Sequence, residues 1–248
     1  MKNQYIGDIG DYGKYGMLRS LVLNGIKIGV NWYLCPDDNR TDGNHTEYLL
    51  DERMRVYDAE VYDTMKNLAF REDKTIQMVE NSGILDGISF YHGLLDLDSI
   101  HWSERAEKRE VWHQGALKAL SDADMIFADP DNSLSVTRKP SQKGSEKYIL
   151  PNEAMDYYKR GKDVVYYHHR SRKNDKGWME EKTQMCRYLP DARLMAVAFR
   201  RWNCRVYIFV LHENKVDFYR KILNDFLCSA WGTHKVDGKI PFTYEEIV

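Results

Sequence analysis

The chain of 248 residues contains no apolar run near the ~18 residues that a transmembrane helix requires, and neither sign of charge predominates. Lys and Arg number 36 against 38 for Asp and Glu, which gives a formal net charge of −2. This balance excludes a globally basic nucleic-acid coat protein, although it leaves room for a local basic patch. The polar N-terminus also lacks the pattern of a signal peptide. We therefore expect a soluble, cytoplasmic protein with no membrane partner.

Cysteine is scarce, and the four cysteines stand far apart with no Cys-x-x-Cys pair. This spacing predicts neither a disulfide framework nor a zinc knuckle. We expect each of the four to be a small buried hydrophobic residue; they are Cys35, Cys186, Cys204 and Cys228. The G-x-G-x-x-G fingerprint is absent as well, which argues against a standard dinucleotide-binding enzyme.

What the sequence does contain is an alternation of helical and strand-like stretches. Apolar runs at 26–34, 124–129 and 163–168 have the composition of buried strands, with amphipathic stretches between them. Two later runs, 194–199 and 206–211, flank a turn as the strands of a hairpin do. The pattern predicts a single α/β domain over the whole chain, with a mostly parallel, doubly wound, Rossmann-like sheet and a C-terminal antiparallel hairpin.

Helical spacing of apolar residues predicts further elements around these strands. The first helix is expected over 12–23, and two more over 47–62 and 61–81. A late helix is expected over 216–231, followed by a polar tail.

The segment 5–16 sets four glycines among acidic and aromatic residues at the start of the first predicted helix. Glycines let a backbone approach a ligand closely, and a helix N-terminus favours anions. The carboxylates of Asp8 and Asp11 suit ribose hydroxyls, an amino group or a metal ion. The alternative is a helix-entry loop in which Asp11 is the N-cap and Asp8 lies on the solvated surface.

An acidic cluster follows the first predicted strand, at the position where open α/β sheets bind ligands. Its carboxylates suit Ca²⁺ or Mg²⁺, and an acidic surface loop is the alternative. The cluster contains Asp37, Asp38 and Asp42.

A third cluster, Asp129-Pro130-Asp131-Asn132, comes directly after a buried apolar strand. Carboxylates at such a position are costly unless they are paired or used. The alternative is an ordinary strand-to-helix turn. Farther along, His168 and His169 leave another buried strand and point to opposite faces, so one of them could act as a general base.

Two of these clusters resemble a known family. Asp129-Pro130-Asp131-Asn132 resembles the Asp-Pro-Pro-Tyr motif of S-adenosylmethionine-dependent amino-methyltransferases. The segment 7–15 is similar to the Gly-Asn-His-Ala-Asp-x-x-Lys-His segment of ribosomal-RNA adenine-N6 methyltransferases. The glycine-rich cofactor loop of the family is replaced here by 36–43, and the motif lacks its second proline and its aromatic residue.

This resemblance implies a class I methyltransferase fold with S-adenosylmethionine as cofactor. The implied activity is methyl transfer to an amino group of a nucleic acid or nucleotide. Basic residues after the Asp-Pro-Asp-Asn motif and after the strand at 163–168 would then suit a phosphate-bearing substrate, unless they belong to ordinary solvated loops. The expected catalytic residues are Asp129, Asp131, Asn132 and His168. The expected cofactor-binding residues are Asp8, Asp11, Lys14, Asp37, Asp42 and Gly43, and the expected substrate-binding residues are Arg138, Lys139, Arg170 and Arg172.

Two other hypotheses remain open from the sequence. One is a metal-dependent nuclease or phosphoester hydrolase, with His168 or His169 as base and Mg²⁺ held by the acidic residues. Those residues would be Asp8, Asp11, Asp129 and Asp131. The other is a non-catalytic binding module on a degenerate methyltransferase scaffold.

Overall fold

The computed structural model of the chain describes residues 1–38, 44–170, 173–202, 204–245 and 247. The strands are β1 (Ile28–Asn31), β2 (Ser89–Tyr91), β3 (Met125–Ala128), β4 (Ser133–Leu134), β5 (Tyr148–Ile149), β6 (Asp163–His169), β7 (Arg193–Phe199), β8 (Arg205–Leu211) and β9 (Phe242–Glu245). The α-helices are α1 (Ile9–Leu23), α2 (Ala59–Ala69), α3 (Ile76–Glu80), α4 (Arg105–Ala119), α5 (Pro151–Lys159), α6 (Asp175–Lys182), α7 (Val216–Cys228) and α8 (Ala230–Thr233). None of the helices within these ranges is long and apolar enough to cross a membrane.

Seven strands form one sheet in the order β2-β1-β3-β6-β8-β7-β9. The first four run parallel, β8 is antiparallel to both β6 and β7, and β9 is antiparallel to β7. It follows that β7 points in the same direction as the four parallel strands. The predicted α/β class is confirmed: the sheet is mostly parallel, of Rossmann-like type, and carries a C-terminal antiparallel hairpin.

Two hydrophobic layers cover the sheet, because alternate side chains of each strand point to opposite faces. Phe127 and Val165 belong to one layer, with apolar residues of α1, α2 and α7. Ile126 and Val164 belong to the other, with residues of α4, α5 and α6. Apolar layers occupy both faces of the sheet, which leaves the ends of the strands as the positions for polar side chains.

The predicted helices over 47–62 and 61–81 are wrong in their boundaries. Two 3₁₀ helices, Glu47–Leu50 and Glu52–Val56, precede α2, and α3 is a separate short helix. The reason is local: Asp58 accepts a hydrogen bond from the backbone N–H of Val61 and so starts a new helix inside the periodic pattern.

The C-terminal tail also differs from its prediction. It contains β9, which pairs with β7 and buries Phe242 against Phe199. The late helix divides at Ser229, whose hydroxyl accepts a hydrogen bond from Trp231 N–H and caps α8. The four cysteines are free, but only Cys35 is fully buried, and Cys228 is exposed, contrary to the expectation for it.

Candidate functional site

A cavity of about 110 Å³ lies where the N-terminal segment crosses the carboxyl ends of β3 and β6. Its charged lining residues are Asp8, Asp11, Lys14, Asp129, Asp131 and Arg205, and its aromatic ones are Tyr5, Tyr167 and Tyr207. Because β8 runs antiparallel to β6, its first residue, Arg205, stands beside the last residue of β6, His169. The edge of the sheet at which open α/β proteins bind ligands therefore carries this site.

Lys14 connects the N-terminal segment to the turn after β3. Its ammonium donates to Asp129 Oδ2 at 2.7 Å and lies 2.9 Å from Asp11 Oδ1, and the three side chains are buried. Burial by itself would lower the pKa of Lys14, but the two carboxylates outweigh it and raise that pKa well above the usual value. Burial raises the pKa of Asp11, although Lys14 opposes the shift. Lys14 is therefore a permanent cation that two acids share.

Asp8 is the N-cap of α1 and is buried, not a solvated surface residue. Its Oδ1 accepts from Gly10 N–H at 2.7 Å and its Oδ2 from His45 N–H at 3.0 Å. Arg205 donates to the same carboxylate, at 2.5 Å. Burial lowers the pKa of Arg205, but Asp8 reverses the effect and the net shift is upward. Asp11, the alternative cap, instead accepts from Gly7 N–H with its Oδ2.

The glycines of the N-terminal segment serve packing. A Cβ at Gly10 would lie 2.4 Å from Arg205 Nε, one at Gly13 would lie 2.6 Å from the Phe199 ring, and one at Gly16 would lie 2.2 Å from Trp231. Spaced three residues apart, they form one stripe on α1 that lets the helix lie close against its neighbours. This packing explains Gly13 and Gly16 without the close approach of a ligand, whereas Gly10 also lines the cavity.

Asp129 and Asp131 flank the cavity from the β3 turn. Asp129 N–H donates to Asn31 O, which holds the turn against the end of β1. Asp129 Oδ2 is engaged by Lys14, whereas within the described residues Oδ1 accepts no hydrogen bond. Asp131 lies farther out, 3.8 Å from the amino group of Met1 and 3.9 Å from Lys2 Nζ. Asp129 thus offers one carboxylate oxygen to a ligand.

Two tyrosines opposite each other on neighbouring strands form the aromatic wall. Tyr167 and Tyr207 are register partners across β6 and β8, with ring centroids 6.4 Å apart. Burial raises the pKa of Tyr167 to about 12 and that of Tyr207 well above its usual value. The Tyr167 hydroxyl lies 3.3 Å from His169 Nδ1. Both phenols are therefore neutral at ordinary pH and can donate a hydrogen bond.

His168 lies on the opposite face of β6 from this site, as the alternation of side chains along a strand requires. Its ring packs 5.4 Å from that of Trp178, and its Nε2 lies 3.8 Å from Glu181. The structure therefore does not bring His168 together with Asp129, and His169 is the histidine on the cavity's side.

The other expected site residues lie outside the cavity lining. Asp37 is exposed and accepts from Gln4 N–H, and Asn132 N–H donates to Lys147 O. Lys139 is exposed, and Arg138 and Arg170 lie over the rings of Tyr148 and Trp178. Asp42, Gly43 and Arg172 fall outside the described residues.

Sequence reasoning missed Arg205, Tyr167 and Tyr207 as site residues. Tyr167 could have been predicted from the sequence, because side chains alternate along β6 and Tyr167 therefore points to the face opposite that of His168. Arg205 and Tyr207 lie on β8, and they reach the site because β8 pairs with β6. The sequence does not show that pairing, because β6 and β8 are not consecutive strands.

The charged groups also bear on the metal hypothesis. Among the residues described, no group of three or more His, Cys, Asp or Glu side chains is arranged to hold a metal ion. Asp8 and Asp11 are already neutralised by Arg205 and Lys14. The donor set is therefore poorly suited to Mg²⁺, which prefers free carboxylate oxygens.

The chain matches no known protein-family model, and no curated protein matches it significantly.

Proposed function

We propose that this protein transfers a methyl group from S-adenosylmethionine to an amino group of a nucleobase, in a nucleic acid or a nucleotide. The observation that carries the proposal is the contact between Lys14 and Asp129, which are 115 residues apart. Each belongs to one of the two segments that resemble amino-methyltransferases. Their meeting at one cavity is what a shared active site requires.

The lining of the cavity favours an amino group over a phosphate, because Lys14 and Arg205 are already paired with carboxylates whereas Asp129 Oδ1 remains an acceptor. Four of its side chains are carboxylates and two are cationic, and three tyrosine rings complete the wall. At about 110 Å³ it is smaller than the ~300–1,000 Å³ of typical ligand sites. It would therefore enclose the reacting end of a ligand, with the remainder extending over the surface.

Asp129 is the proposed catalytic residue. Its Oδ1 would accept an N–H of the substrate amine, which aims the nitrogen lone pair away from the carboxylate. The same oxygen would take the proton that the nitrogen loses once the new C–N bond has formed. Lys14 is a positioning residue, because its ammonium holds the other oxygen of Asp129. The half-buried ring of Tyr167 offers a surface for the base.

S-adenosylmethionine would supply a methyl group on a sulfonium sulfur and leave as S-adenosylhomocysteine. Asp131 and the ring of Tyr5 line the cavity and would face that cationic end in place of Lys2, whose ammonium lies 3.9 Å from Asp131 and over the Tyr5 ring. Asp37 does not line it.

The first test is calorimetric titration with S-adenosylhomocysteine, with and without a chelator, followed by methyl transfer from labelled S-adenosylmethionine to a single-stranded, adenine-rich oligonucleotide. We expect metal-independent binding and detectable transfer. Asp129→Asn should reduce transfer at least a hundredfold while retaining cofactor binding, because it removes the acceptor for the substrate proton.

Asp86→Asn is the matched control, since Asp86 is exposed and far from the cavity. It should transfer like the wild type. Absence of any heat at millimolar S-adenosylhomocysteine would overturn the proposal, and so would equal transfer by the two variants.

A second candidate, a non-catalytic nucleic-acid-binding module, is favoured by one observation: the carboxylates of Asp8 and Asp11 are already engaged by Arg205, Lys14 and backbone N–H groups. This candidate predicts salt-sensitive oligonucleotide binding with no turnover.

A further inference from the structure

A second, larger cavity of about 260 Å³ lies next to the first, between the 3₁₀ helices at 47–56 and the turn that joins β7 to β8. Its wall includes His45, Glu47, Tyr48, Arg201, Trp202 and Asp237. None of these residues lines the first cavity.

His45 separates the two cavities. Its N–H donates to Asp8 Oδ2 in the first site at 3.0 Å, and its carbonyl accepts from Ile9 N–H at 3.0 Å. Trp202, whose ring lies beside that of His45, is three residues before Arg205 of the first site. A ligand longer than one nucleotide could therefore occupy both cavities at once.

Two buried polar atoms of this cavity, one on Arg201 and one on Tyr48, have no hydrogen-bond partner among the residues that the structure describes. Arg201 and Tyr48 are each only 7% exposed. Within the described part of the chain, neither Arg201 Nε nor the Tyr48 hydroxyl makes a hydrogen bond, although Arg201 Nη2 lies 3.4 Å from the Tyr57 hydroxyl. Buried donors without partners are costly, so a ligand that accepts from them would gain affinity.

Trp202 presents a flat apolar surface at the mouth of the same cavity. It is 62% exposed, and its ring centroid lies 4.6 Å from that of His45. Its φ of 66° places a bulky residue in the left-handed region, which is unfavourable for such a side chain and persists only where the surrounding structure holds it. An exposed, strained tryptophan beside a second aromatic ring is well suited to stack on a planar ligand.

We propose that this cavity binds a nucleobase carrying both a carbonyl and an amino group, that is, guanine or cytosine. The base stacks on Trp202 beside His45, and its carbonyl accepts from Arg201 Nε and the Tyr48 hydroxyl. Its amino group donates to the carboxylate of Glu47, since that of Asp237 is already paired with Arg53. That this base lies next to the base to be methylated rests on the proposed function. Binding of a nucleobase in this cavity does not depend on it.

The test is calorimetric titration of the full-length protein with GMP, CMP, AMP and UMP. GMP and CMP should bind more tightly than AMP, which has no carbonyl, and UMP, which has no amino group. Trp202→Ala should weaken GMP and CMP binding at least fivefold, and Trp202→Phe should restore it to within about threefold of the wild type. Tyr48→Phe should weaken binding about threefold to tenfold, because it removes only the unpaired hydroxyl.

Trp102→Ala is the matched control, because Trp102 is 65% exposed and lines neither cavity. It should bind GMP like the wild type. Equal loss in Trp102→Ala and Trp202→Ala, or equal affinity for all four nucleotides, would overturn the proposal.

Asp129→Asn separates this inference from the proposed function. The variant should bind GMP within about twofold of the wild type, because Asp129 does not line the second cavity. Trp202-dependent GMP binding without methyl transfer would reject the proposed function alone, whereas transfer without such binding would reject this inference alone.

Discussion

Lys14 Nζ lies 2.7 Å from Asp129 Oδ2 and joins helix α1 to the turn after strand β3. The same ammonium is 2.9 Å from Asp11 Oδ1 and lies over the rings of Tyr15 and Trp32. One cation therefore compensates two buried carboxylates, and the geometry of the proposed catalytic oxygen depends on it.

Replacing Lys14 by methionine should destabilise the protein by about 3–5 kcal/mol, because two buried carboxylates lose their common counterion. The folded-state pKa of Lys14 is raised above its usual 10.5, so its contribution is complete below pH 10.5 and is lost as the pH rises through the higher folded-state value. Urea unfolding should thus show a constant difference between wild type and variant from pH 7 to pH 10.

Lys118→Met provides the control for that measurement, because Lys118 is exposed on α4. It should change the unfolding free energy by less than about 0.5 kcal/mol. A loss below about 1 kcal/mol in Lys14→Met would mean that the buried triad does not stabilise the fold.

Gly13→Ala tests whether the glycine stripe of α1 serves packing. An added Cβ would lie 2.6 Å from the fully buried ring of Phe199. Overpacking typically costs about 1–3 kcal/mol, which outweighs the gain of up to about 1 kcal/mol from helix propensity. The expected net effect is a lower unfolding free energy, measured by urea denaturation.

Leu23→Ala, at an exposed position of the same helix, should be nearly neutral. If Gly13→Ala were instead stabilising, Phe199 would have to move aside at no cost and the packing argument would be refuted.

The sequence predicts the sheet better than the site, for a physical reason. β3 and the 164–167 part of β6 are continuous apolar runs, a property of the local chain, and their burial follows from it. Asp8 and Arg205 are 197 residues apart, and their contact depends on β8 entering the sheet beside β6. Residues such as these acquire a role only through strand order, which local patterns do not determine.

Cysteine reactivity should follow burial. Burial raises the pKa of Cys35 to about 11, so its thiolate fraction at pH 8 is very small, whereas Cys228 is exposed. We expect a maleimide at pH 8 to modify Cys228 first and Cys35 only on unfolding. Peptide mass spectrometry after timed labelling would check this. Labelling of Cys35 as fast as that of Cys228 would contradict the burial of the segment after β1.

His168 should make the protein sensitive to mild acid. Burial lowers its pKa to about 4, and the effects of His169 and Lys173 act in the same direction while Glu181 opposes them. Because the folded-state pKa lies below the unfolded value of 6.5, the stabilising contribution is present above pH 6.5 and is lost as the pH falls toward 4. The loss should be on the order of 3 kcal/mol.

Urea unfolding of wild type and His168→Gln between pH 4 and pH 7 measures this contribution directly. The variant should show a shallower fall of unfolding free energy below pH 6.5, because glutamine does not titrate. His101→Gln, at an exposed position, should follow the wild-type curve. If His168→Gln and wild type lost stability in parallel, protonation of His168 would not be the cause, and the acid sensitivity would have to arise from other groups.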